Sequence, residues 1–383
     1  MRHRQPVDRA YSKARKREME IRAAVVFETG GEFSIEQLEL TDPKDDELLV
    51  RIVGVGICHT DLVARDGHLP IPPPPSVFGH EGAGVVEKVG ARVTKFKPGD
   101  HVVLSWDCCG RCSSCKSGRD PYCLNFFLHN FHGARPDGSA TLRKDDQVIH
   151  GSFFCQSSFA DFALVNERSV VKVRDDIPLE ILGPMGCGVM TGAGAVMNSL
   201  RPRAGSSIAI FGVGTVGMSA VLAAAVVGCT TIIGVDIHQD RLEMAKEFGA
   251  THVVNARESD PVEAIGDITG GGADLSLECV GDPRVLRQAV DALPRCGVCG
   301  LIGAVAPGTE VRLDMDLLMN GRTVTGIVQG DSIPHLFIPR LIELYSQGRF
   351  PFDRMITFYP LDEINKAVAD IEEGRVIKAV LRP

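Results

Sequence analysis

Apolar positions along the chain follow two rhythms that divide it. From residue 21 to about 173 they come as short runs separated by turn residues: IRAAVVF (21–27), ELLVRIVGVGI (47–57), GAGVVEKVG (82–90), HVVLS (101–105), FADFALV (159–165) and SVVKV (169–173). Short runs rich in valine and bounded by glycine or aspartate predict strands, hence an all-β first block. Residues 56–82 form a loop-rich stretch that includes the proline run LPIPPPPS. Proline lacks the backbone donor and restricts its predecessor, so no helix is expected there. The segment after HVVLS, up to about residue 158, reads as irregular.

Near residue 189 the rhythm changes. SIAIF (207–211) is a short apolar strand, followed by a glycine-rich turn and an apolar helix. TTIIGVD (230–236), the helix QDRLEMAKEFGA ended by Gly249, HVVN (252–255), a helix near 261–268, ADLSLE (273–278), a helix at 283–293 and VCGLIG (298–303) continue the alternation. Strands alternating with helices predict a parallel sheet covered on both faces. The last segment offers helices at IPRLIELYSQG and LDEINKAVADIEEG, then VIKAVL (376–381) as a returning strand. The expected organisation is a basic tail at 1–18, a mainly β domain at 19–188, a parallel α/β domain at 189–330 and a segment at 331–383 that returns to the first domain.

Charge narrows the partners. The total is −8, but residues 1–18 are net +5, which leaves −13 for the rest. So acidic a body argues against nucleic acid. The basic stretch has no apolar core and is not a secretory signal; it reads as a flexible tail, with Met19 as the natural start. The longest apolar stretch, SAVLAAAVVGCTTIIGV (219–235), is interrupted by Gly228, Thr230 and Thr231. It is too short for a bilayer and reads as a buried helix followed by a buried strand. Twelve cysteines in a chain of 383 residues without a signal suggest metal ligands or free thiols in the reducing cytoplasm.

GVGTVG (212–217) directly follows SIAIF and opens the apolar helix, and Asp236 ends the next strand 19 residues beyond Gly217. That context makes it a dinucleotide fingerprint. Gly212 permits the tight turn, Gly214 lets the backbone approach a pyrophosphate, and Gly217 lets the helix pack close. Asp236 can accept from ribose hydroxyls and would repel a 2′-phosphate, favouring NAD. Arg241 could help hold the ribose and leaves room for NADP.

Two cysteine constellations remain. Cys109, Cys112, Cys115 and Cys123 supply four thiols from one 15-residue loop. Four thiolates complete the tetrahedron of Zn(II) and leave no place for substrate, so the site is structural. An iron–sulfur motif would place its fourth cysteine sooner and before proline. The spacing selects Cys109 and leaves Cys108 outside. Elsewhere GICHTD (56–61), FGHEG (78–82) and GCGVMTGAG (186–194) offer Cys58, His80 and Cys187, a three-ligand zinc set with one open position. Cys296 and Cys299 read as buried thiols.

Taken in order, CHTD, GHEG, the GD at 99–100, the four-cysteine loop, GCG-x2-TG-x-GA and GVGTVG with Asp236 resemble the zinc-dependent medium-chain dehydrogenase/reductase family over residues 19–383. FFCQSSFADFAL, GPMGCG, IPRLIELYSQGRFPFDRMI and FYPLDEIN resemble its bacterial aryl-alcohol branch most. The resemblance implies an α/β chain, with a GroES-like mainly β catalytic domain and a doubly wound Rossmann domain. It implies two Zn²⁺ per chain, one catalytic on Cys58, His80 and Cys187, one structural on the four-cysteine loop. It places Glu81 beside the catalytic metal, Asp61 behind His80, Thr60 as acceptor of the alcohol proton, His59 at the cofactor pyrophosphate and Thr191 near the nicotinamide. The expected reaction is hydride transfer between NAD and a primary aromatic or allylic alcohol, in a homodimer or tetramer. Many members carry a histidine where this chain has Val63, which leaves the last step of the proton relay open. Ser105, a small residue at a pocket position, leaves room for a ring; Trp106 either borders that pocket or packs under the metal loop. A glutathione–formaldehyde or polyol dehydrogenase is the alternative enzyme, and a zinc-binding interaction module the alternative class.

Overall fold

A computed structural model describes residues 19–69 and 71–383, so the expectation for the tail at 1–18 lies outside the described residues. Three sheets organise it. The second half of the chain forms a six-stranded, wholly parallel sheet of Ser207–Phe211, Thr231–Asp236, His252–Asn255, Leu275–Glu278, Val298–Leu301 and Thr323–Gly326. Its spatial order is third, second, first, fourth, fifth, sixth. This is the doubly wound arrangement, and it places a crevice where the order reverses, beside the carboxyl end of Ser207–Phe211. The helix Thr215–Val227 leaves that end, with residues 217–224 buried, and stops at Gly228 with φ +89°. The apolar stretch at 219–235 is thus a buried helix and a buried strand, and no helix among the described residues is long and apolar enough to cross a membrane.

The first half, joined by the end of the chain, builds one antiparallel sheet and one mixed sheet, whose strands Ile356–Pro360 and Lys378–Arg382 pair in parallel. One orders Ser76–Val77, Met19–Val26, Phe33–Leu40, Leu142–Lys144 and Gln147–Ile149. The other runs Val170–Lys172, His101–Leu104, Glu81–Val89, Glu47–Gly56, Lys378–Arg382, Ile356–Pro360, with Phe162–Asn166 also on Glu47–Gly56. The chain therefore returns at its end: Lys378–Arg382 pairs with Glu47–Gly56 through Val380 and Gly56, as VIKAVL predicts. The mainly β block and the parallel α/β block together make the expected α/β class.

Three local expectations need correction. The segment after HVVLS, expected to be irregular, carries the short strands Leu142–Lys144 and Gln147–Ile149, three residues each, too short to leave an apolar rhythm. A helix, His59–Arg65, lies inside the stretch at 56–82 where none was expected. The proline argument reaches only residues 70–75; upstream, Cys58 caps the helix and Asp61 at its third position accepts the Cys58 N–H, the reciprocal geometry of a capping box. Cys296 is exposed rather than buried, whereas Cys299 is buried. It sits at φ +63° in the turn before Val298–Leu301, outside the apolar interior that takes up Cys299.

Candidate active site

One end of the catalytic sheet gathers the chemistry. Gly56, the last residue of Glu47–Gly56, lies in register with Glu81, the first of Glu81–Val89. A Cβ at Gly56 would come within 2.0 Å of Glu81 Oε2, so only glycine lets that carboxylate fold inward. Two residues past Gly56 stands Cys58; one before Glu81 stands His80. Cys187 arrives at the start of the helix Gly188–Gly194, whose first N–H donates to Glu81 Oε1 at 3.0 Å. The potential ligand atoms of Cys58, His80, Glu81 and Cys187 all lie within 4.8 Å of one another.

Asp61 organises this cluster from below. Fully buried, it takes His80 Nδ1–H at 2.8 Å and Gly79 N–H at 3.0 Å on Oδ1, and Cys58 N–H at 3.0 Å on Oδ2. Burial opposes charge on His80, but the Asp61 carboxylate outweighs it and holds the ring well above the usual histidine range. His80 Nε2 is buried without a hydrogen-bond partner. A buried ring nitrogen without a partner costs about 1–3 kcal/mol, so an orphan beside two thiols fits a cation that would take the place of its proton. Hydrogen bonding from Cys187 holds the Cys58 thiol well below its ordinary value and pushes Cys187 well above. Thr60 Oγ1 lies 3.9 Å from Cys58 Sγ.

Three contributors escape the sequence reading. Lys378 opens the returning strand and donates to Glu81 Oε2 at 2.8 Å and Ile57 O at 2.9 Å, wholly buried. Burial raises the Glu81 carboxyl to about 6 even so. Gln156 donates to the His80 carbonyl at 2.9 Å and accepts from Gly82 N–H at 3.1 Å. Phe154 stacks on the His80 ring at 4.4 Å, with Phe153 edge-on at 5.7 Å. Phe154 holds φ 49°, ψ 39°, a left-handed conformation that is strained for a bulky residue and sits against the cluster. A lone lysine in VIKAVL was the available signal for the first, and the stretch FFCQSSFADFAL holds the other two without marking their roles. Ser105 spends its hydroxyl on Gly186 O at 2.7 Å, beside Cys187, and Trp106 is buried with its ring tilted on Phe126.

The dinucleotide turn adjoins this cluster. A Cβ on Gly188 would lie 3.1 Å from Glu81 Oε1 and 3.2 Å from Thr215 Cγ2, the first residue of the fingerprint helix. Gly212 holds φ +84°, and a Cβ on Gly217 would strike Gly212 O at 2.0 Å, so helix and turn are in direct contact. Around Gly214 a Cβ would meet nothing within 4 Å, which leaves a cradle at the helix N-terminus. Asp236 accepts from Val213 N–H at 2.8 Å and from Ile237 and His238 N–H at 2.7 and 3.0 Å. Arg241 is half-buried, its Nε without a partner. His59 is exposed on its helix, and Thr191 lies one turn past Cys187.

Some distance away, Cys109, Cys112, Cys115 and Cys123 place their sulfurs within 4.8 Å of one another. Backbone N–H groups of Cys123's neighbour Asn125, of Cys109 and of Cys112 point at sulfurs at 3.3–3.4 Å. At Cys109, burial raises the thiol, but donors from the Arg111 backbone, the Asn125 side chain and the Cys112 backbone outweigh it and bring it down to about 5. Cys108 lies outside this set, near Cys115 and Asp120, and burial lifts its thiol to about 11. Asp107 roots the loop, bonded to His129 Nδ1 at 2.7 Å and to Arg168 at 3.0 Å.

Comparison with known proteins decides the family. Residues 44–175 match the alcohol dehydrogenase GroES-like domain, and residues 215–347 match the zinc-binding dehydrogenase domain. The chain is 46% identical, over 94% of its length and 96% of the relative, to the geraniol dehydrogenase of Castellaniella defragrans. The chain belongs to the zinc-binding alcohol dehydrogenase family. Among solved structures, an alcohol dehydrogenase zinc-binding domain protein from Burkholderia ambifaria superposes with TM-score 0.93 at 52% identity, covering 96% of this chain and 99% of that one. The benzyl alcohol dehydrogenase of Acinetobacter calcoaceticus gives 0.92 at 46%, with 95% and 99% covered. As a zinc alcohol dehydrogenase the chain is an oxidoreductase of small-molecule alcohols, with zinc and a nicotinamide dinucleotide as cofactors.

Proposed function

We propose that this alcohol dehydrogenase oxidises primary alcohols whose carbinol carbon adjoins a π system, aromatic or allylic, to the aldehyde with NAD⁺. The observation that carries the reading is the convergence of Cys58, His80 and Cys187, with an orphaned His80 Nε2, next to the dinucleotide turn. Two relatives named for geraniol and benzyl alcohol, both primary alcohols one carbon from a double bond or ring, support the substrate class. So does the aromatic wall of Phe153 and Phe154 against His80.

In this reading Cys58, His80 and Cys187 hold the catalytic zinc, and Cys109, Cys112, Cys115 and Cys123 hold a second, structural ion. Zinc at the first site, when bound, supplies Lewis acidity that makes an alcohol proton easy to lose. The chain's own residues do the rest. Asp61 fixes the ring of His80 and the start of the helix that bears Thr60. Thr60 Oγ1 accepts the alcohol proton, Val63 gives no further acceptor, and His59, exposed on the same helix, meets the cofactor pyrophosphate. Glu81 and Lys378 form a neutral pair behind the ligands and keep the buried charge balanced. Gly214 leaves space for the pyrophosphate, Thr191 meets the nicotinamide, and Asp236 and Arg241 receive the ribose; the Asp236 carboxylate disfavours a 2′-phosphate. The hydride chemistry belongs to the cofactor.

The test is a panel of benzyl, cinnamyl, geranyl and short aliphatic alcohols with NAD⁺ and with NADP⁺, followed at the NADH absorbance. The reading expects kcat/KM highest for the first three with NAD⁺. Preference for ethanol or for NADP⁺ would overturn it.

A further inference from the structure

The four-cysteine loop belongs to the first half of the chain, yet its last turn reaches the second. Tyr122, the residue before Cys123, donates its hydroxyl to Asp331 Oδ1 at 2.7 Å, with Gly326 O at 3.2 Å as alternative acceptor. The other Asp331 oxygen accepts from Ser199 Oγ at 2.6 Å. Asp331 closes the turn Gln329–Asp331, in which all three residues have positive φ, +52°, +63° and +48°. Gln329 and Asp331 are not glycine, so the turn is costly and persists only where its surroundings over-determine it.

Those surroundings lead back to the active site. Gln329 Oε1 accepts from Thr191 Oγ1 at 3.2 Å. A Cβ on Gly330 would lie 2.7 Å from Thr191 O, and the Gly330 carbonyl takes Asn198 Nδ2 at 3.2 Å. Thr191 in turn stands on the helix Gly188–Gly194, where a Cβ on Gly192 would overlap Val216 O at 1.9 Å, so this helix is locked to the fingerprint helix. A contiguous path of hydrogen bonds and close packing thus runs from the cysteine loop through Tyr122, Asp331 and Gln329 to Thr191.

We propose that Tyr122 is a positioning residue for coenzyme binding: its bond to Asp331 holds the strained turn that places Thr191, so the cysteine loop serves the nicotinamide end of the coenzyme. The inference rests on the reading that Thr191 meets the nicotinamide. It assigns the loop a task besides closing a metal site.

The experiment titrates NADH fluorescence against the holoenzyme and against Tyr122→Phe, Asp331→Asn and the double variant, with zinc content and Tm measured in parallel. Tyr122→Phe removes one half-exposed hydroxyl and is expected to raise the Kd for NADH about fivefold. KM for NAD⁺ rises in step, kcat stays within about twofold, and zinc and Tm are unchanged. The double variant is expected to bind no more weakly than the weaker single variant, the signature of one shared interaction. Unaltered binding in Tyr122→Phe, weakening only in step with zinc loss, or additive effects in the double variant would each overturn the inference. No NADH binding by the unaltered enzyme would overturn the functional reading, and this inference with it.

Discussion

Lys378 and Glu81, 297 positions apart, meet at 2.8 Å with side chains 2% and 0% exposed. A buried pair of this kind is costly to break one-sidedly, because the remaining charge loses both water and partner. Lys378→Met is expected to lower unfolding free energy by about 3–5 kcal/mol in urea denaturation. Adding Glu81→Gln should return more than half of that. A double variant as unstable as the single one would show that Lys378 acts through packing instead.

The two cysteine clusters should separate in their consequences. The enzyme is expected to carry two zinc ions per chain by atomic absorption, and Cys58→Ser and Cys112→Ser to carry one each. Cys58→Ser should abolish turnover while Tm stays near that of the unaltered enzyme. Cys112→Ser, in a loop whose fold depends on its ion, should lose Tm first. An unchanged Tm in Cys112→Ser would remove the structural assignment.

Two fingerprint glycines, three residues apart, should respond differently. A Cβ at Gly214 meets nothing within 4 Å, whereas one at Gly217 would strike Gly212 O at 2.0 Å. Gly214→Val is therefore expected to keep the fold and weaken NADH binding at least about tenfold, by filling the phosphate cradle. Gly217→Ala should instead cost about 1–3 kcal/mol of stability through overpacking. Calorimetry and NADH titration of both proteins test the contrast.

Asp282 caps the helix Pro283–Asp291, accepting Arg284 N–H at 2.7 Å. The Arg284 side chain beside it holds its carboxyl down at about 2, against 3.8 for an ordinary aspartate. A depressed carboxylate stabilises the fold above the ordinary value and loses that contribution as pH falls toward the folded one. Asp282→Ala is expected to cost about 1 kcal/mol at pH 7. In urea titrations the difference should narrow as pH falls from 3.8 toward about 2. A gap constant with pH would point to a cap that does not depend on charge.

How much was legible follows from how local each feature is. The parallel sheet shows in the alternation from SIAIF to VCGLIG, because a buried strand and its covering helix each carry their own pattern. The fingerprint shows because turn, helix start and acid lie within 25 residues. Phe33–Leu40 is not legible locally, since FSIEQLEL mixes polar and apolar residues with only partial burial. Helix His59–Arg65 was masked by a proline run a few residues away, whose effect does not extend upstream.

By itself the sequence determined the class of fold, the dinucleotide turn and the thiol-rich loop, since each is encoded in short, contiguous spacing. Only the tertiary structure decided that Cys58, His80 and Cys187 meet, that Lys378 comes back to neutralise Glu81, and that Tyr122 reaches Asp331. The physical reason is register. Gly56 opposite Glu81, and Val380 opposite Gly56, follow from pairing between strands far apart in the chain, and no local pattern of apolar and polar residues records which strand will lie beside which.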